Sequence, residues 1–240
     1  MKTIKTFGFI SLLALSIGIS SCNEDEPTPP KEPTIDEYGI VVDQEVDLGL
    51  PSGRIWAGWN IGATAPEEFG DHYACGEVET KEDYSLNTYS LWRDENGDGH
   101  WTQYSDHSEY IYIGTDFGGT KYDVATKLWG KKWRMPSHKD FLELLEECTW
   151  TFILYKGVEG YKVTGPNGLS IFIPMAGIFH GTAFWNGGCY WSSSISNEGP
   201  TIGYGRSLFL DRYGHDIFAT SYREEGHAIR AVKQKTAPRN

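Results

Sequence analysis

The chain has 240 residues, 33 acidic against 21 basic side chains, a formal charge of −12, and a large aromatic complement of 9 Trp, 14 Tyr and 11 Phe. A hydrophobic fraction of 39% and 28 glycines without a regular period exclude a disordered chain and a collagen-like one. The acidic balance argues against nucleic acid as a partner, because phosphate binding needs a basic surface that releases counterions; a neutral or cationic partner fits better.

Residues 1–21 carry Lys2 and Lys5, an apolar run from Phe7 to Ile19, then Ser20 and Ser21 ahead of Cys22. Such a run makes a helix of roughly 20 Å, short of the ~30 Å hydrocarbon core of a bilayer, so it reads as a removable secretory signal. Ile19-Ser20-Ser21-Cys22 resembles the lipobox of bacterial lipoproteins, where the signal is cut before the cysteine and the thiol receives a lipid carrying palmitate-type acyl chains. The resemblance implies that Cys22 is the lipid attachment site and that the membrane is a partner through it. Residues 22–36 read as an acidic, proline-rich tether: Asn23 to Pro33 holds four prolines and four acids, an extended spacer roughly 30 Å long at polyproline rise. Acids placed directly after the lipid cysteine are similar to the signal that sends Bacteroidetes lipoproteins to the outer face of the outer membrane, so the expected location is an outer membrane lipoprotein exposed at the cell surface.

Residues 37–235 are expected to form one domain. Glu45–Leu48 and Ile55–Trp59 flank Pro51-Ser52-Gly53, which predicts a hairpin. Val124, Ala125, Leu128 and Trp129 are spaced for a short helix over Tyr122–Trp129, with Gly130 as its stop. A second helix opens at Ser137, with Asp140 completing a capping box. Phe141, Leu144, Leu145 and Cys148 form its apolar stripe, and Glu143, Glu146 and Glu147 its wet face. Beyond Thr149 the pattern is strand after strand: Thr149–Tyr155, Tyr161–Thr164, Ser170–Pro174, Cys189–Ser193, Ser207–Asp211, Ile217–Thr220 and His227–Val232. Gly165-Pro166-Asn167-Gly168 supplies the sharpest turn. The predicted class is α+β, two short helices packed on a mostly antiparallel β-sheet.

Five segments together resemble the Fibrobacter succinogenes major paralogous domain. They are Val46–Gly53, Gly70–Glu77, Trp129–Ser137 with its Trp133-Arg134-Met135-Pro136-Ser137 helix entry, Val163–Gly168 and Tyr190–Ser194. The likeness runs over roughly residues 45–233 and implies a C-type-lectin-like fold, related to the domain of formylglycine-generating enzymes, on a Bacteroidetes surface lipoprotein. The chain departs from that pattern at Cys75, where Trp is usual, and in an insert around Arg93–His100.

After processing at Cys22, Cys75, Cys148 and Cys189 remain, an odd number that allows one bridge at most. No Cys or His spacing fits a zinc site. Asp94, Asn96 and Asp98 match the opening of a calcium loop, in which alternating oxygens converge on a hard cation and Gly99 permits the turn; calcium is therefore the one cofactor the sequence raises. Position twelve of that loop is Ser105 instead of the bidentate Glu. The acid-bearing sugar motifs of calcium-dependent lectins are missing at Gly165-Pro166-Asn167 and Trp185-Asn186-Gly187. Aromatic faces remain as a way to hold a sugar: Trp92, Trp101, Tyr104 and Trp185 lead, with Tyr89, Tyr110, Tyr112, Phe184 and Tyr190 behind them. Asp106, His107 and Glu109 form the densest acid and histidine cluster. The nucleophile elbow, the P-loop and the dinucleotide fingerprint are absent, and Cys189 has no cysteine after it to make the reactive pair of the formylglycine-generating enzymes.

The expected function is a surface lipoprotein without enzymatic activity, a binding or adhesion module for a glycan or protein ligand. A structural or assembly component of a surface or fimbrial complex ranks second, and an extracellular carbohydrate-active enzyme third.

Overall fold

Eleven strands and two helices account for the ordered framework of a computed structural model that describes residues 31–92, 110–197 and 203–235. The strands are β1 Glu45–Asp47, β2 Arg54–Ala57, β3 Thr149–Tyr155, β4 Val158–Thr164, β5 Ser170–Pro174, β6 Ile178–His180, β7 Ala183–Trp185, β8 Gly188–Ile195, β9 Gly205–Leu210, β10 His215–Ser221 and β11 Val232–Gln234; the helices are α1 Val124–Trp129 and α2 His138–Glu147. They make three three-stranded sheets, β1-β2-β11, β3-β4-β5 and β8-β9-β10, and a two-stranded hairpin, β6-β7. Every pairing within them is antiparallel, so the chain is an α+β protein dominated by sheet. Among the described residues no helix is long and apolar enough to cross a membrane.

Local sequence explains both helices. Asp123 caps α1 by accepting from Thr126 N at 3.1 Å, and Gly130 ends it at φ 86°. At α2 the Ser137 hydroxyl accepts from Asp140 N while the Asp140 carboxylate accepts from Ser137 N at 2.6 Å, the reciprocal pair expected from sequence. The same carboxylate receives Arg54 Nε and Arg134 Nη2, each at 2.7 Å, which ties the start of the helix to β2. Phe141 and Leu144 are buried; Leu145 and Cys148 pack at the margin of the core, Cys148 as the residue that ends the helix in extended conformation.

Alternation along β8 decides where the core sits. Tyr190 points into a cluster with Leu48, Trp56, Phe141, Ile171 and Val232. Trp191, its neighbour in sequence, points the opposite way into a second cluster with Phe117, Met135, Trp133 and Ile229. β5 does the same on a smaller scale, sending Ile171 and Ile173 to the first cluster and Phe172 to Ile40 and Tyr155. Burying each large side chain of this kind contributes about 1.5–3 kcal/mol, and these strands are buried on both faces: β5 as a run that is apolar after Ser170, and β8 with Ser192–Ser194 following its aromatic pair.

Residues 33–240 form one unit, beginning a few residues before the boundary expected at 37. Thr34 N donates to Asp43 Oδ2 at 2.6 Å, and Asp36 accepts from the Tyr155 hydroxyl at 2.5 Å, so Thr34 to Asp36 belong to the packed domain instead of the tether. One strand prediction also needs correction. His227–Val232 is not one strand: His227 and Ala228 make isolated bridges, and β11 starts at Val232. The β6-β7 hairpin is an additional element that the strand pattern of the sequence does not predict.

Candidate functional site

The β6-β7 hairpin turns through Gly181-Thr182 and pairs Ile178 with Trp185, Phe179 with Phe184 and His180 with Ala183. Residues directly opposite in an antiparallel pair share a face. One face therefore presents Ile178, His180, Ala183 and Trp185, and the other Phe179 and Phe184. The second face is braced against the domain. Phe179 stacks on Tyr84 at 5.4 Å and meets the edge of His72 at 5.0 Å, and Phe184 approaches His72 at 6.2 Å. Gly177 makes this packing feasible: its φ is 81°, and a side chain there would run into the Phe184 ring.

The brace is itself rigid. Tyr84 donates from its hydroxyl to His72 O at 2.5 Å and exchanges backbone hydrogen bonds with Gly181. Phe179 exchanges both backbone bonds with Gly226, each at 2.9 Å, and a Cβ on Gly226 would lie 2.8 Å from the Tyr84 ring. His72 Nε2 lies 2.9 Å from Ala176 O, and burial holds its imidazole below the ordinary histidine value, so it is a neutral donor.

The opposite face is open. Trp185 is 62% exposed, and it is the exposed tryptophan among the described residues: Trp56, Trp133 and Trp191 are buried, and Trp59, Trp92, Trp129 and Trp150 partly so. On the same face His180 Nδ1 lies 3.3 Å from Glu225 Oε1, and Glu225 Oε2 lies 3.2 Å from His227 Nε2. His227 is buried, stacked on Trp191 with ring centroids 3.8 Å apart. Burial alone would lower its pKa, but the Cys189 thiol and the Glu225 carboxylate beside it outweigh burial and raise it to about 9. Its Nδ1 has no hydrogen-bond partner among the described residues. A chain of titratable groups thus runs from the solvent at His180 to the interior at Cys189.

Next to the hairpin, the turn at Arg223 and Glu224 supports a second aromatic group. Tyr110 donates to Glu224 Oε2 at 2.9 Å, while Trp92 and Tyr89 meet the Tyr110 ring at 5.2 and 6.0 Å. The Arg223 guanidinium lies 5.0 Å from the Tyr110 centroid and 5.6 Å from that of Tyr89. Burial pushes the Glu224 carboxyl and both phenols above their ordinary values.

These positions sort the aromatic candidates. Trp185 and Phe184 are exposed on the hairpin, Tyr112 is exposed elsewhere, and Trp92 and Tyr110 are partly buried together. Tyr190 and Tyr89 are corrected to interior residues: Tyr190 donates to Pro174 O at 2.6 Å and Tyr89 to Cys75 O at 2.6 Å, which consumes their hydroxyls in the core. Cys22, the calcium-loop residues Asp94, Asn96 and Asp98, the aromatics Trp101 and Tyr104, and the cluster Asp106, His107 and Glu109 lie outside the described residues. Cys75, Cys148 and Cys189 are free thiols, and burial raises those of Cys75 and Cys148 to about 11 and about 12. Among the described residues no group of three His, Cys, Asp or Glu side chains is arranged to hold a metal ion.

His180, Glu225 and His227 were not singled out from sequence. The signal available was Arg223-Glu224-Glu225-Gly226-His227, three charges, a glycine and a histidine in a region otherwise patterned as strand. The fold and site together define an α+β domain that displays an aromatic hairpin. In comparisons with known proteins the chain matches no family model, no curated protein and no solved structure.

Proposed function

We propose that the chain is a bacterial surface lipoprotein, lipid-anchored at Cys22, whose C-type-lectin-like domain of the Fibrobacter succinogenes major paralogous kind binds a glycan through the open face of β6-β7. The observation that carries this reading is the exposure of Trp185 on a hairpin braced by Tyr84, His72 and Gly226. An indole offers an apolar plane that fits the C–H face of a sugar ring, with its N–H left free to hydrogen-bond. His180 and Glu225 stand on the same face, within reach of the hydroxyls around such a ring, and supply the donor and acceptor that give orientation. Rigid placement limits the ordering cost of binding.

The test is an array of glycans and of host proteins probed with residues 33–240 and with Trp185→Ala. A glycan signal that falls about 30-fold in affinity in the variant, with an unchanged near-UV spectrum, supports the reading; that loss corresponds to about 2 kcal/mol, typical of a central aromatic contact. Glycan binding unaffected by Trp185→Ala sinks it. Silence on both arrays, with a bacterial protein recovered by crosslinking on cells, would favour a structural role in a surface assembly.

A further inference from the structure

β3 is an edge strand. β4 takes up one side along its whole length, from Thr149 against Thr164 to Tyr155 against Val158, and among the described residues nothing pairs with the other side. An edge of this kind presents a row of unused backbone donors and acceptors, and proteins ordinarily blunt it with a charge, a proline or a bulge. Here the strand reads Thr-Trp-Thr-Phe-Ile-Leu-Tyr, with none of these devices. Its side chains also overhang the core. Phe152 and Leu154 are 37% and 63% exposed on the face that carries Trp150 and Tyr161, while Thr149 and Thr151 are exposed on the other.

We propose that two copies of this chain pair antiparallel through the free edge of β3, joining their β3-β4-β5 sheets into one continuous sheet across a two-fold axis. The charges at the two ends of the strand choose this occupant and this direction. Glu146 and Glu147 close α2 just before β3, and Lys156 follows its last residue. In an antiparallel pair Lys156 of each copy comes to the acidic end of its partner; in a parallel pair acid would meet acid and Lys156 would meet Lys156. Lys156 also bridges Glu67 of its own chain at 3.1 Å, but its side chain is 42% exposed and stays open to the second acid. The strand between these ends has no charge of its own, so the −12 of the whole chain does not act across the contact at short range.

A two-fold axis perpendicular to the sheet allows only registers in which facing residues lie on the same side of both strands. Centred on Thr151, Trp150 faces Phe152 of the partner subunit; centred on Phe152, Trp150 faces Leu154 of the partner subunit. Either register covers the overhanging apolar side chains with their own kind and satisfies the edge.

The experiment is the mass in solution, by light scattering after size exclusion over a concentration series, of the full chain carrying Cys22→Ser and Cys148→Ser. The expected mass rises to that of a dimer. Phe152→Lys places two ammonium groups beside the axis in either register and should weaken the dimer at least tenfold. Leu154→Lys, which gains Glu159 as cross-strand neighbour in its own sheet and so keeps its fold, should weaken it as well. Thr151→Cys or Phe152→Cys should give an oxidised dimer on gels, and the more efficient one reads the register. A monomer at every concentration, or a dimer untouched by both lysine variants, overturns the proposal.

Discussion

Asp140 offers the sharpest test of how the domain is held together. One carboxylate, 5% exposed, takes Arg54 Nε and Arg134 Nη2 at 2.7 Å and the Ser137 amide and hydroxyl at 2.6 Å. Asp140→Asn keeps the shape and one acceptor oxygen but removes the charge that two guanidinium groups share and turns a donor toward donors. Breaking a buried pair costs about 3–5 kcal/mol. The two arginine side chains are roughly a fifth exposed, which lets water recover part of that cost; the lost helix cap adds about 1 kcal/mol. We expect about 3 kcal/mol in urea unfolding at pH 7 and a melting temperature lower by roughly 6–12 °C for a domain of this size. Burial alone would raise the Asp140 pKa, but Ser137 and Arg134 outweigh it and hold it below the ordinary carboxylate value. Its contribution is therefore fully present above that value and is lost as pH falls through the lower folded-state pKa. The gap between wild type and Asp140→Asn should close in strongly acidic buffer, where the wild-type side chain also becomes neutral. A loss under about 1 kcal/mol at pH 7, or a gap that is the same at pH 7 and pH 2, would refute the assignment of this carboxylate as the charged hub.

Three further outcomes follow from the packing. Arg230 is fully buried and donates to Asn60 Oδ1, Ala57 O and Phe172 O at 2.8, 3.2 and 2.9 Å, so Arg230→Ala should cost about 3–5 kcal/mol in chemical unfolding, from three orphaned acceptors and the space left behind. Gly226→Ala should destabilise by about 1–3 kcal/mol through the Tyr84 ring, whereas Gly214→Ala, where a Cβ meets nothing within 4 Å, should lie within about 0.5 kcal/mol of wild type in the same melts; equal effects at both sites would contradict the brace. His227, raised to about 9, contributes stability below its ordinary pKa that is lost as pH climbs through 9. Stability measured between pH 6.5 and 9 should slope downward in wild type and flatten in His227→Gln, and a slope shared by both would place the titration elsewhere.

Features written in neighbouring residues could be read without the structure. The capping box of α2 needs Ser137 and Asp140 at fixed spacing, and Gly130 announces the end of α1 by its own conformational freedom. The strands after Thr149 are legible because β-branched and aromatic residues recur in them, most densely in Thr149–Tyr155 and Ser170–Pro174. The β6-β7 hairpin escaped because each of its strands has only three residues and its turn is Gly181-Thr182 instead of an Asn-Gly pair. Exposure was harder still. Tyr190 and Trp185 are both aromatic residues in strand-like surroundings five positions apart, yet one is completely buried and the other lies open. What separates them is the company their strands keep: β8 lies between two core clusters, while β6-β7 has an aromatic brace on one face and leaves Trp185 exposed on the other. That distinction depends on partners distant in the chain, such as Tyr84 and Gly226, and no local pattern encodes it.

The β1-β2-β11 sheet sets a condition on when this molecule can finish folding. β2 ends at Ala57, and its second neighbour is made of Val232–Gln234. During synthesis, the earlier strand must wait for nearly the whole domain to emerge before Trp56 finds Val232 and Arg54 finds Gln234. Such a long loop is slow to close and keeps an apolar edge uncovered in the meantime. A chain cut before Val232 would retain that edge permanently, so the last few residues of the domain act as the latch that makes the earliest sheet safe.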